Sequence, residues 1–231
     1  TEWTHRAGDA DHSIQHAAFS VAPAQIWSAS IGQGADRKHR ITADPVAAAG
    51  RIFTLDSRAT VVATSSVGAT LWTRDLTRPA ESPDDASGGG LAIGGDQLFV
   101  TTGFGDLVAL NVADGSEIWR QRLDAPATGA PTVYGDLVYV VTRDSRAWAI
   151  DAGDGRVRWQ LAATPDVSGV VGGAGPAVDG RIAVFPFGSG EMVGALRKGG
   201  LRTWTGSVAG ARLGRAYVNV TDITGDPVLR G

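Results

Sequence analysis

Ala149-Ile150-Asp151-Ala152-Gly153-Asp154-Gly155-Arg156-Val157-Arg158-Trp159 decides the fold, because the same arrangement returns in phase along the chain. Its counterpart upstream is Ala109-Leu110-Asn111-Val112-Ala113-Asp114-Gly115-Ser116-Glu117-Ile118-Trp119. In both, a glycine stands four positions before a tryptophan, and the pairing recurs at Gly68/Trp72 and Gly200/Trp204. From Trp72 to Trp119, Trp119 to Trp159 and Trp159 to Trp204 the separations are 47, 40 and 45 residues. A period of this size marks a repeat architecture. Working outward, Gly95-Asp96-Gln97-Leu98-Phe99-Val100 aligns with Gly135-Asp136-Leu137-Val138-Tyr139-Val140 and with Gly180-Arg181-Ile182-Ala183-Val184-Phe185. Each of these three glycines lies 24 residues before its tryptophan, whereas Gly50 to Trp72 is two shorter.

Within the third repeat the segments 130–134, 137–142, 146–151 and 157–161 are short, rich in Val, Ile, Tyr and Trp, and split by Gly and Asp. They read as four strands joined by tight turns. Asp114-Gly115 and Asp154-Gly155 predict two-residue hairpins, in which glycine supplies the positive φ. No long stretch has the 3.6-residue periodicity of an amphipathic helix. Four antiparallel strands in about 40–45 residues make one propeller blade. Because a four-stranded sheet has two faces to cover, blades must stack around an axis, and Trp72, Trp119, Trp159 and Trp204 are expected to fill the gaps between them. The fold class is therefore an all-β propeller of four-stranded antiparallel blades. A single domain over 1–231 holds about four full blades, approximately 43–76, 88–123, 129–163 and 174–208.

Trp27 falls on the same lattice, 45 residues before Trp72, but Pro23 replaces the hairpin glycine. Proline cannot supply positive φ, so 24–30 is read as the outer strand of a closing blade. Gly225-Asp226-Pro227-Val228-Leu229 resembles Asp44-Pro45-Val46-Ala47, which makes 226–231 the start of a further blade. On this reading the residues are an open arc or part of a longer ring.

Composition narrows the function. With 32 glycines in 231 residues and 19% charged residues, the chain suits a turn-rich β protein. A net charge of −3 offers no electrostatic case for nucleic acid or an acidic membrane surface. There is no cysteine, hence no disulfide framework or thiolate metal site. No apolar run approaches the 18 residues of a membrane helix. The polar stretch 77–90 is read as a solvated loop between the first two blades.

The two quoted stretches resemble the tryptophan-docking repeat of propellers of the pyrroloquinoline-quinone (PQQ) type, A-x-D-x-x-x-G-K/R-x-x-W. Within that superfamily the chain resembles the BamB family of outer-membrane protein assembly factors, the α-proteobacterial type in particular. The stretches that carry this are Thr1-Glu2-Trp3-Thr4-His5-Arg6-Ala7-Gly8 with His12 and His16, Phe185-Pro186-Phe187-Gly188-Ser189-Gly190-Glu191, and Thr221-Asp222-Ile223-Thr224-Gly225-Asp226-Pro227-Val228. The resemblance implies an eight-bladed ring without enzymatic activity or cofactor. It implies a periplasmic lipoprotein at the inner face of the outer membrane, docked on the POTRA domains of BamA within the β-barrel assembly (BAM) machinery. Other BAM components and nascent outer-membrane protein strands are further implied partners. The lipid-bearing cysteine of that family is not among these residues. Two neighbouring loops carry the family's partner contact. Val170 and Val171 stand where its Leu-Arg pair would fall. In Asp222-Ile223-Thr224, Asp222 matches the first aspartate of an Asp-x-Asp pair and Thr224 replaces the second. The other branch, quinoprotein dehydrogenases with PQQ and calcium, would need a Glu/Asn/Asp calcium constellation that is not apparent. A PQQ-repeat sensor domain is a third possibility.

Remaining features have bland readings. Trp148 lies off the lattice and reads as core. Trp3 reads as a plug for the ring edge or a disordered residue. His12 and His16 lack enough neighbouring ligands for a metal site and are expected to be solvated. Arg37-Lys38-His39-Arg40 is a basic run whose default is a solvated loop, with an acidic partner or phosphate as the sharper reading. The glycine runs 88–90 and 172–175 precede no helix and carry no Lys-Ser/Thr pair, so they are expected to let inner strands crowd near the axis. Histidines 5, 12, 16 and 39 all precede the first full blade, and Gly188-Ser189-Gly190 sits in a hairpin, so no catalytic triad is supported.

Overall fold

The computed structural model describes residues 2–14, 22–85, 87–165, 172–208 and 222–230. These form sixteen strands in four antiparallel four-stranded meanders, with no helix among the described residues. The first sheet is β1 Val46–Ala48, β2 Arg51–Leu55, β3 Thr60–Ser65 and β4 Thr70–Asp75. The second is β5 Gly89–Gly94, β6 Gln97–Thr102, β7 Asp106–Asn111 and β8 Glu117–Arg122. The third is β9 Thr132–Tyr134, β10 Leu137–Thr142, β11 Arg146–Asp151 and β12 Val157–Ala162. The fourth is β13 Ala177–Val178, β14 Ile182–Pro186, β15 Glu191–Leu196 and β16 Arg202–Ser207.

The sheets pack face to face, which is why their middle strands are apolar on both sides. Alternate side chains of a strand point to opposite faces. Thus Leu98 and Val100 of β6 join a core with Phe53 and Val61 of the first sheet, while Phe99 between them joins Val138 and Trp148 of the third. A third core sets Tyr139 and Val141 against Phe185 and Val193. On β10 every residue is consequently buried. The outermost strands β4, β8, β12 and β16 are largely exposed. The innermost strands start so close together that glycine is required: a Cβ on Gly90 would overlap Ala130, and one on Gly129 would overlap Gly173.

Three expectations need correction. The Asp-Gly hairpins are five-residue loops, 112–116 and 152–156, not two-residue turns. The first is closed by the Asn111 N–H on Ser116 O (2.8 Å) and the Gly115 N–H on Asn111 O (2.9 Å), the second by the Asp151 N–H on Arg156 O (2.8 Å) and the Gly155 N–H on Asp151 O (3.0 Å), with Gly115 at φ 72° and Gly155 at φ 75°. Residues 24–30 form no strand, because among the described residues no third strand lies beside them to complete a ladder. Nor is the 77–90 stretch merely solvated. Gly89 and Gly90 already belong to β5, and Arg78 is held by the buried Asp106 carboxylate (2.7 Å), which also meets Arg120 (2.9 Å).

Candidate functional site

The repeated tryptophans occupy one geometry. Across the second, third and fourth strands of the first three sheets run the rows Phe53–Ala63–Trp72, Phe99–Ala109–Trp119 and Tyr139–Ala149–Trp159. The small central residue lets the indole approach the inner aromatic, at centroid distances of 5.7, 5.8 and 6.0 Å. In all four sheets the register between third and fourth strands shifts beside the tryptophan, a bulge that re-aims it. The indoles of the first three sheets then lie on the hairpin glycine of the next sheet. A Cβ on Gly115 would come within 2.6 Å of Trp72, and Cβ atoms on Gly155 and Gly200 within 2.7 Å of Trp119 and Trp159. The ring N–H donates across the seam: Trp72 to Val112 O (3.2 Å), Trp119 to Ala152 O (2.9 Å) and Trp159 to Arg197 O (3.0 Å). Trp27 does the same without a strand of its own, lying over Gly68 and donating to Ser66 O (2.9 Å). Trp204 differs. Its row is Val184–Gly194–Trp204, it rests on its own sheet at Gly194, and it is 41% exposed. Among the described residues no further hairpin receives it.

Residues 3–12 form a strap across the C-terminal ends of the inner strands. Trp3 exchanges two 2.7 Å backbone bonds with Ala47, so it is an ordered contact. Thr4 O then accepts from Ile93 N (2.8 Å), Ala10 O from Val178 N (2.7 Å) and Asp11 O from Leu229 N (2.9 Å). His5 is buried, with Nε2 3.0 Å from Val133 N and 3.1 Å from Val133 O, and Nδ1 2.9 Å from Thr4 Oγ1. Burial, with the neighbouring His12, lowers its pKa to about 4. His12 is also buried, with Nδ1 donating to Pro227 O (2.8 Å). The expectation of a solvated His12 is thus overturned: these N-terminal histidines satisfy backbone groups that would otherwise be buried without partners. His16 lies outside the described residues.

Arg6 reaches the opposite, N-terminal ends of the inner strands. It pairs with Asp44 (2.8 Å) and Asp226 (3.4 Å) and donates to Gly173 O (2.9 Å). The two Asp-Pro stretches noted in the sequence are therefore tied to one cation. Asp226 also accepts from Gly175 N (2.7 Å), and Ile223 O from Ala174 N (3.1 Å). The segments 172–175 and 223–226 accordingly lie side by side. Of the expected partner-contact residues, Asp222 and Ile223 are half-buried and Thr224 is exposed, while Val170 and Val171 lie outside the described residues. Residues 226–230 form no strand and bond instead to the strap. Sequence reading missed Arg6; the duplicated Asp-Pro was the available signal that something cationic joins them. Among the described residues no group of three or more His, Asp or Glu is placed to hold a metal ion.

The family model described as outer membrane protein assembly factor BamB matches residues 57–231, well over half of the chain. The chain belongs to the BamB family. It is 22% identical to BamB of Yersinia pestis over 213 residues, covering 90% of this chain and 54% of that protein. To BamB of Shewanella oneidensis it is 26% identical, covering 92% and 55%. The chain thus spans about half the length of these BamB relatives. BamB of Moraxella catarrhalis superposes with a TM-score of 0.60 at 22% identity, over 73% of this chain and 48% of that one. A quinohemoprotein alcohol dehydrogenase of Comamonas testosteroni superposes with a TM-score of 0.69 at 16% identity, over 89% and 41%. At those identities the likeness is one of fold, shared by BamB and the quinoprotein dehydrogenases alike.

Proposed function

We propose that this chain is part of a non-enzymatic scaffold of the outer-membrane β-barrel assembly machinery, working in the periplasm at the inner face of the outer membrane. Its sheets belong to an eight-bladed ring, and its mechanism is presentation by loops on a rigid body. The observation that carries the reading is the family match across residues 57–231, joined to the adjacency of 172–175 with 223–226. This adjacency supports a composite docking surface that includes Val170, Val171, Asp222, Ile223 and Thr224, with the POTRA domains of BamA as partner. The exposed outer strands offer edges to which a nascent outer-membrane protein strand can add by β-augmentation. Co-purification of the chain with the periplasmic domains of BamA tests the docking surface. Asp222→Arg and the exposed-site change Thr224→Arg are expected to abolish or strongly reduce capture while leaving far-UV circular dichroism unchanged. Undiminished capture by both variants would remove the assignment.

A further inference from the structure

The strap covers one end of the inner strands, and a cavity opens at the other. Its volume is about 260 Å³, and its wall includes Lys38, Asp85, Gly103, Arg143 and Gly172. Backbone forms much of that wall: a Cβ on Gly103 would approach Ser87 closely, and one on Gly172 would press Thr42 at 3.2 Å. Two cationic residues from distant parts of the chain line it. Lys38 belongs to the basic run Arg37-Lys38-His39-Arg40, and Arg143 stands in the loop between β10 and β11.

That run is not a loose loop. The Asp36 carboxylate accepts from the N–H groups of Lys38 (2.8 Å) and His39 (2.7 Å), and the His39 ring is buried between Asp36 (3.1 Å) and Asp84 O (3.1 Å). Arg58 ties the same two acids together, at 3.2 Å to Asp36 and 2.6 Å to Asp84. Those hydrogen bonds, led by the His39 N–H, hold the Asp36 pKa well below the usual carboxylate range. The carboxylates nearest the run are thus already engaged by Arg58 and His39, and the Lys38 ammonium donates to a carbonyl, Asp84 O (2.8 Å). The Arg143 backbone is fixed on Pro126 O (3.0 Å), and its guanidinium makes no ion pair among the described residues. Among the described residues Asp85 is the single acid in the wall, so these side chains give the mouth one net positive charge on a chain of net −3.

We infer that this mouth binds a carboxylate side chain of an acidic polypeptide segment, gripped between Lys38 and Arg143. One excess positive charge suits a monoanion, and Arg143 offers the forked donors that a carboxylate accepts. The site goes beyond the docking surface proposed above, since none of its side chains belongs to that surface.

The test is fluorescence anisotropy of a fluorescein-labelled, end-capped peptide of alternating glutamate and serine, with a glutamine–serine peptide as control and inorganic phosphate as competitor. The expected result is saturable binding of the glutamate peptide that weakens with salt. It should fall about fivefold or more with either Lys38→Glu or Arg143→Glu and be retained in Lys38→Arg. Circular dichroism of the variants establishes that they are folded, and the milder Arg143→Gln serves if a reversal is not. Retained peptide binding in Thr224→Arg separates this site from the BamA-docking surface. The inference is overturned if the glutamate peptide shows no saturable binding, if both reversals bind like the parent, or if the glutamine peptide binds equally. Phosphate displacing the peptide at concentrations below the peptide's own dissociation constant would also overturn it, marking a small-anion site.

Discussion

At the scale of single residues, the five lattice tryptophans are one residue type in two situations. Trp119 fills a seam, packs on Phe99 and donates to Ala152 O, whereas Trp204 is 41% exposed and lacks an inner aromatic. Trp119→Ala is expected to destabilise by about 3–5 kcal/mol, and Trp204→Ala by about 1 kcal/mol or less, read from urea unfolding midpoints. Equal losses would contradict the distinction. His5 carries a pH signature. Its pKa is about 4 when folded against an ordinary 6.5, so between those values the unfolded chain binds the proton and the folded chain does not. Stability is therefore full above pH 6.5 and declines as pH falls towards 4, by on the order of 2–3 kcal/mol from this group. His5→Gln should flatten that part of a thermal-denaturation series; an unchanged slope would show that the imidazole is not held neutral. Such burial was illegible in the sequence, where a histidine near a terminus reads as solvated. What buries it is a set of backbone groups more than a hundred residues away.

At the scale of elements, strand existence and bounds were readable because each hairpin glycine and each alternating apolar run has a local cause. Three of the four strands of the third sheet fall within one residue of the expected bounds at both ends, and the first starts two residues late. The turn type was not readable: Asp-Gly signals positive φ, but loop length is set by how the incoming indole must lie on that glycine. Gly115→Ala joins a positive φ to a close approach by Trp72 and should destabilise by about 3 kcal/mol. Gly50→Ala, at φ 73° with open space around it, should cost only about 1–2 kcal/mol. A similar loss at both sites in chemical denaturation would mean that the indole does not press on the hairpin. The strap makes its own prediction. Arg6→Gln leaves Asp44 and Asp226 facing each other without a cation and should lower stability by about 1–3 kcal/mol, relieved in part by Asp44→Asn in the same chain.

At the scale of the whole molecule, four sheets stand face to face, a strap spans the C-terminal ends of their inner strands, and the loops proposed for docking lie at the other ends. The all-β class and the four-stranded unit were visible because they repeat, and repetition multiplies a weak local signal; that Trp204 would part from Trp72, Trp119 and Trp159 was not visible. The strap and the Lys38–Arg143 mouth occur once each and are assembled from remote segments, so no periodicity announces them. Everything rests on seams closed by indoles that reach from one sheet to the next. Hydrogen exchange of the seven indole N–H groups, followed by nitrogen-15 NMR and assigned with single Trp→Phe variants, tests this most directly. The account predicts slow exchange for Trp72, Trp119 and Trp159, whose ring N–H groups bond across seams, and fast exchange for Trp204. Uniformly fast exchange, or a Trp204 as protected as the other three, would contradict it.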